Sequence, residues 1–430
     1  MRNRPLHQPQ GLACIVNRFR PDLRPFEDLY KHIHSHPELG TQESQTASLV
    51  ARHLKDLGLD VKEGIGGYGL AGIQRNGAGP VVLIRAELDA LPVREETDLP
   101  YASKVHARDR DGVERPVMHA CGHDLHISCL LATMQLLKAA ASYWHGTVIC
   151  VFQPNEEEGR GAAAMVHDGL YEKAPVPDVI LFQHVDHQRT GTVSIGSGAT
   201  QAAADSFDVR IFGRGGHGAQ PESTIDPIVI ASYIIVRLQS IVSRDIAPSD
   251  KAVITCGSIH AGEAENIIPD YLDFKLNIRT FDSQTRKKVL ERVKQIITAE
   301  CEASNVPTPP RIAVTTSFPV TNNNAAVVER LRHTWQAYFG GDLQRQEPKA
   351  ASEDLPNLAD PHGIPYAVWF CGGTDAEKWD DAARDEKLDT IPRNHSGHFA
   401  PVIQPTLRIS VDAMSLAVLT FLSNGSSPVA

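Results

Sequence analysis

The stretch "MHACGHDLH", residues 118–126, sets one cysteine, three histidines and an aspartate within nine positions, directly ahead of the apolar run "ISCLLATMQLLKAAA". A C-x-H pair of this kind can be half of a structural zinc site, part of a catalytic one, or a reactive thiol beside a base. The same residue types recur downstream, as Glu156, Glu157 and Glu158, then His184 and His187, then His395 and His398. Thiolate, imidazole and carboxylate together describe a zinc-type donor set that also tolerates manganese, cobalt or nickel. A structural zinc site is closed by four Cys or His ligands at short fixed spacings. These candidates run from Cys121 to His398 and include carboxylates, which fits a catalytic site better. Cys121 precedes a helix start, where the helix dipole and a metal both favour its thiolate form.

Adjacent Glu156 and Glu157 add a geometric argument. Neighbours on an extended segment point in opposite directions, so one carboxylate can ligate metal while the other takes a proton from water. That division of labour is what metal-assisted hydrolysis requires, because a metal brings the pKa of water down to about 7 and a carboxylate can then act as general base.

The elements around these residues have reason to bring them together. "PVVLIRAELDALPV", "GTVICVFQPNEEEG" and "PDVILFQHVDH" are three buried apolar runs, each ending in carboxylates or histidines, and they alternate with helical stretches. That is the signature of an α/β sheet. In such sheets sites form beyond the carboxyl ends of strands, where Glu87, Asp89, Glu156, Glu157 and His184 fall. Residues from about Asp22 to Leu57 read as helical with "HIHSHPELGTQES" as an interruption, and His32, His34 and His36 there suit a pocket rim or the surface end of a helix. Between about Ala202 and Ser317 the order becomes β-α-β-β-α-β, the split βαβ arrangement of a ferredoxin-like domain inserted into the α/β chain. "FGGDLQRQEPKAASEDLPNLADPHG" and "TDAEKWDDAARDEKLDTIPRN" read as loops.

The whole chain sets bounds on function. Its 430 residues exceed the length at which single cores usually stop growing, so two domains are expected. With 42% hydrophobic and 22% charged residues it can build a real core. A net charge of -10 argues against a nucleic-acid face or affinity for anionic membranes, and for a small-molecule partner. No long apolar run suggests a spanning helix or a signal sequence, and the seven singly scattered cysteines look like reduced thiols, so a cytoplasmic location is expected.

The motifs "HSHPELGTQE", "RAELDALP", "MHACGHDLH", "FQPNEEEGRGA", "QHV", "GRGGHGAQP", "AENIIPD", "ASEDL" and "NHSGHFAP" together resemble the peptidase M20 amidohydrolases. The likeness is greatest to the branch with hippurate hydrolase, N-acyl-amino-acid amidohydrolases and auxin-amino-acid hydrolases, and it runs from about residue 25 to 425 with the motifs in family order. The resemblance implies a zinc-exopeptidase-like α/β catalytic domain, residues 1–201 and 318–430, and an inserted ferredoxin-like lid and dimerisation domain, residues 202–317. It implies two divalent metal ions held by Cys121, His123, Glu157, His184 and His395, with the cysteine near both. Glu156 matches the general base and Asp89 a carboxylate behind the ligands. His217 matches a histidine that reaches into the neighbouring subunit's site and steadies the oxyanion. Asn266 and Arg279 match a substrate-binding pair, and a guanidinium suits a substrate carboxylate.

Three departures from the family pattern bear on the pocket. Glu87 replaces an aspartate, Asn155 and Glu158 flank the glutamate pair, and Gly397 with His398 stands where a proline usually follows "HS". His126, His187, His398 and Asp124 are left as supports behind the ligands or as structural residues. The expected activity is metal-dependent hydrolysis of the amide bond of an N-acyl amino acid by a homodimer. The alternatives are a metallo-carboxypeptidase or dipeptidase, and a non-catalytic metal-dependent dimer that binds such conjugates.

Overall fold

The computed structural model of the chain describes residues 9–423. The α/β class expected from the sequence is the class observed. Two compact units divide the chain: the larger holds the residues up to Thr200, Asn322–Glu347 and those from Asp354 on, and the smaller holds Gln201–Thr321 and Pro348–Glu353.

The larger unit is built on an eight-stranded mixed sheet, in the order Asp60–Ile65, Gly69–Asn76, Gly146–Gln153, Val81–Glu87, Val179–Arg189, Tyr366–Thr374, Val193–Ile195, Leu343–Arg345. The four strands from Gly146–Gln153 to Tyr366–Thr374 run parallel to one another. They are buried on both faces, which is why they read as continuous apolar runs in the sequence. Alternation along Val81–Glu87 sends Val82, Ile84 and Ala86 to one core, and Leu83 to the other. The first core is closed by the helices His123–Ala139 and Ile403–Leu422. Of the 17 residues of His123–Ala139, 14 are buried, so this helix is enclosed nearly all round and has almost no surface face. Each fully buried leucine on it contributes about 1.5–3 kcal/mol of hydrophobic stabilisation.

The smaller unit is a four-stranded antiparallel sheet in the order Ala252–His260, Tyr271–Thr280, Ala203–Phe212, Arg311–Phe318. Two helices cover its apolar face: Pro227–Ser240, capped by Asp226, and Ser283–Ala303, capped by Asp282. Phe207, Val209 and Ile211 alternate into that core from one strand, and Leu272, Phe274, Leu276 and Ile278 from its neighbour.

Two segments read as loops contain short regular structure. Ala376–Arg384 is a helix despite its charge, because Asp375 caps it and the Arg189 guanidinium grips Asp380 at 2.8 and 2.9 Å. Pro356–Ala359 forms one helical turn after the strand Leu343–Arg345. Among the described residues, two helical segments, Pro227–Asp245 and Ile403–Leu422, are long and apolar enough to cross a membrane by length and composition alone; 78% of the apolar stretch of the second is buried.

Candidate metal centre

The donor residues come from a helix start, the middle of a parallel strand and two turns, and the structure brings five of them together in the larger unit. Cys121 and His123 flank Gly122, which takes a left-handed φ of 86° and is the N-cap of the helix His123–Ala139. A side chain there is excluded on a second ground, since a Cβ would come within 2.4 Å of Val185 Cγ1. His184 lies on the strand Val179–Arg189, and its Nδ1–H donates to Val185 O at 2.6 Å, which leaves Nε2 as the donor atom for a ligand. That Nε2 is 3.4 Å from Cys121 Sγ. His395 Nε2 is 3.2 Å from the same sulfur and 3.4 Å from Glu157 Oε2. His395 itself has φ of 70°, a conformation that costs a residue with a Cβ and persists where the surroundings impose it. Its N–H donates to Ala120 O at 2.8 Å.

The glutamates converge for a different reason from the one expected. Residues 156–159 form a turn and not an extended segment, with the Gly159 N–H donating to Glu156 O at 2.6 Å. Both carboxylates therefore approach the same place: Glu156 Oε2 and Glu157 Oε1 each lie 3.9 Å from His123 Nε2. Asp89 braces this corner by accepting the Glu157 N–H at 3.0 Å, and its backbone oxygen accepts His123 Nδ1–H at 2.8 Å. The turn is pinned from behind by Glu43, whose Oε1 accepts the Asn155 N–H at 2.8 Å. Burial and nearby Asp89 push the Glu43 carboxyl up to about 7.

The donor chemistry fits cations. His123 Nε2 and Glu157 Oε1 are buried without a hydrogen-bond partner although they face one another, as expected for atoms reserved for a metal. Candidate groups of mutually close donor atoms are Cys121–His123–His184, Cys121–Glu157–His395 and His123–Glu156–Glu157, which share residues and so suit two neighbouring ions with the cysteine common to both. Burial holds His184 well below the usual histidine range, which keeps it neutral as a ligand must be. Burial opposes charge on His123 too, but Glu87, Asp89 and Glu157 outweigh that and raise it to about 10, so a cation binding at its Nε2 would have to displace a proton. Burial and the carboxylates of Glu157, Glu156 and Glu87 push the Cys121 thiol well above its ordinary value, and a bound cation would favour its thiolate.

The residues left open by the sequence fall into place. His34 is fully buried, neither on a pocket rim nor at a surface helix end; its Nδ1 is 2.6 Å from Asp124 Oδ2 and its Nε2 3.0 Å from Glu95 Oε1. Glu158 reaches Arg110 at 3.5 Å on the surface. Both ring nitrogens of His398 engage Glu96, Nδ1–H donating to its O at 2.8 Å and Nε2 lying 3.2 Å from its Oε2. Gly397 fits because a Cβ there would meet Arg94 O at 2.3 Å. Glu87 pairs with His126 at 2.8 Å.

Sequence reasoning passed over Arg85. It is fully buried and donates to Gln153 at 2.7 Å, Asp354 at 3.0 Å and Glu87 at 3.2 Å. The signal was present, since an arginine inside an apolar run must find buried partners.

In the smaller unit, His217 pairs across a two-residue ladder with Ile267, and the Gly218 N–H donates to Asn266 O at 2.8 Å, so His217 and Asn266 are close neighbours. Both are exposed, and His217 Nδ1 accepts the Ala219 N–H at 3.0 Å. Arg279 lies on the strand Tyr271–Thr280 and donates to Asn277 Oδ1 at 3.2 Å, Ala350 O at 2.6 Å and Ser352 Oγ at 3.1 Å.

Comparison with known proteins gives this arrangement a context. Residues 83–393 match peptidase family M20/M25/M40. Hippurate hydrolase of Campylobacter jejuni is 38% identical over 345 residues, covering 80% of this chain and 87% of that protein. Thermostable carboxypeptidase 1 of Saccharolobus solfataricus is 31% identical over 416 residues, covering 95% and 99%. Among solved structures, a Bacillus subtilis protein described as a dinuclear metal binding peptidase from the M20 family superposes with a TM-score of 0.73 at 25% identity, over 94% of this chain and 99% of that one.

Proposed function

The chain belongs to peptidase family M20/M25/M40, and from that premise we propose that it is a dinuclear metallo-amidohydrolase that cleaves the amide bond of an N-acyl amino acid, releasing a carboxylic acid and the amino acid. The observation that carries the reading is the convergence of Cys121, His123, Glu157, His184 and His395 with Glu156 beside them. Those five residues would hold two divalent ions. The mixed sulfur, nitrogen and oxygen donors suit zinc, and manganese, cobalt or nickel are tolerated. When bound, the ions supply Lewis acidity to the amide carbonyl and acidify water.

The protein's own groups do the rest. Glu156 takes a proton from water as its oxygen adds to the carbonyl carbon, and then delivers that proton to the amine nitrogen as the C–N bond breaks. Asp89 holds the Glu157 backbone and the His123 ring in place for this. By the family resemblance, His217 of a second copy donates to the oxyanion, and Asn266 and Arg279 bind the substrate carboxylate.

A homodimer through the smaller unit is part of the proposal. The strand Ala252–His260 is a sheet edge with Val253 and Ile259 exposed on it, and the helix Pro227–Ser240 leaves Ile228, Val229, Tyr233 and Val236 outside, the last two 66% and 74% exposed. An apolar helix face beside an open edge suits a second copy that continues the sheet. The seven cysteines are all unpaired, which supports a reducing, cytoplasmic setting.

The likeness to a carboxypeptidase over nearly its whole length favours one other reading, in which the acyl part is itself an amino acid. A mass-spectrometric panel of N-acyl amino acids and dipeptides separates the two. Release of amino acid from hippurate-like conjugates but not dipeptides supports the amidohydrolase, and the reverse pattern supports the peptidase. Ligand binding without turnover of either class would move the assignment to a binding protein.

A further inference from the structure

Behind the donor atoms stands a histidine that looks like a ligand and cannot be one. The Val185 N–H can only donate, and the acceptor it finds at 2.9 Å is His126 Nε2. His126 Nε2 therefore carries no proton, the ring hydrogen sits on Nδ1, and Nδ1–H donates to Glu87 Oε2 at 2.8 Å. Both ring nitrogens are committed, so the close group Glu87–His123–His126 is not a third ion site. The peptide that His126 grips is the one joining His184 to Val185. The carbonyl of Val185 is held in turn, by His184 Nδ1–H at 2.6 Å and by Asn394 Nδ2–H at 3.1 Å. Asn394 also donates to Cys121 O at 3.3 Å and immediately precedes His395. One stretch of backbone thus touches the supports of three donor residues.

The anchor beneath this chain is rigid. Glu87 also accepts from Arg85, whose guanidinium is fixed by Gln153 and Asp354 and lies 4.5 Å above the Phe182 ring. Glu87, one of the departures from the family pattern, carries one methylene more than the usual aspartate, and with it reaches both Arg85 and His126.

We propose that Glu87, His126 and Asn394 are positioning residues that clamp the backbone of Val185 and so aim His184 Nε2, and with it Cys121 and His395, at the metal ions. The inference rests on the metallohydrolase reading but concerns how this chain builds its own site. Loss of a group that orients a metal-bound histidine typically costs 10–100-fold in metal affinity or activity.

The test is metal titration of the cobalt-substituted protein, followed by its visible absorption spectrum, for the unaltered chain and for His126→Phe, His126→Gln and Asn394→Ala. His126→Phe keeps the ring's bulk and removes the acceptor. It is expected to weaken one of the two cobalt sites 10–100-fold and shift its spectrum, with kcat falling and KM moving less than threefold. Glutamine at the same position retains an acceptor oxygen for the Val185 N–H and should restore affinity to within about threefold. Asn394→Ala, at a half-buried loop position, gives an independent readout if His126→Phe fails to fold, and should loosen the same site. Wild-type cobalt affinity and spectrum in folded His126→Phe, or in Asn394→Ala should His126→Phe not fold, would overturn the proposal. Absence of cobalt binding by the unaltered chain would instead overturn the metallohydrolase reading.

Discussion

Replacing His34 by glutamine removes the cation from a buried ion cluster. The imidazole stands between Asp124 and Glu95, 2.6 and 3.0 Å away, and all three side chains are essentially inaccessible. Burial alone would lower the His34 pKa, but the hydrogen bonds and charges of Asp124 and Glu95 outweigh it and raise it to about 10 from the ordinary 6.5. Because the folded value is raised, the stabilisation is fully present below pH 6.5 and is lost as pH rises through 10. A shift of that size corresponds to about 4–5 kcal/mol at pH 6 and below, falling by about 1.4 kcal/mol per pH unit until it vanishes near pH 10. Removing one partner of a buried ion pair independently costs about 3–5 kcal/mol, a similar size. The assay is denaturant unfolding of the unaltered chain and His34→Gln at pH 7 and pH 10. The stability gap between them should shrink by about 3–4 kcal/mol across that interval. An unchanged gap would refute the imidazolium assignment, and a gap below about 0.5 kcal/mol at pH 7 would refute the cluster as a stabilising element.

The turn that carries Glu156 should be sensitive to its packing. Asn155 has φ of 48°, and a Cβ at Gly40 would lie 2.2 Å from Asn155 Oδ1; Gly40→Ala is expected to lower kcat about 10–100-fold in a folded protein, read by steady-state kinetics. Asn155→Ala should cost about 1 kcal/mol in unfolding experiments while Asn155→Gly stays within a few tenths, since only the former strains a left-handed backbone. Charge on the exposed helix face of the smaller unit, introduced as Tyr233→Asp with Val236→Asp, is expected to convert a dimer into monomers in analytical ultracentrifugation. A dimer that survives both substitutions would remove that face from the interface.

The chemistry was more legible in the sequence than its mechanics. Strand ends at Glu87, Gln153 and Arg189 deliver side chains to one edge of a parallel sheet, and apolar runs reveal such strands directly. What joins those strands is not local. Arg85 and Asp354 are 269 positions apart, and His34 reaches Asp124 across 90, so spacing gives no hint that they meet. The glutamate pair shows the limit from the other side: the two carboxylates do converge, but through a turn pinned by Glu43, where the alternating directions of a strand were expected. His126 has the residue type and spacing of a ligand and was expected behind the ligands or as a structural residue; which atoms it engages, Glu87 Oε2 and the Val185 N–H, spacing could not give. The charged segment Ala376–Arg384 was hidden for a related reason, because its helix depends on a cap and on a distant arginine rather than on an apolar face.

The most direct test of the account is metal analysis coupled to turnover of N-acyl amino acids by the unaltered chain, Glu156→Gln and Cys121→Ser. The account predicts two divalent ions and amino acid release in the unaltered chain, and both ions with at least about 100-fold lower kcat in Glu156→Gln. It predicts loss of metal and turnover together in Cys121→Ser. Full activity in metal-free protein, or turnover at the unaltered rate by Glu156→Gln, would contradict it.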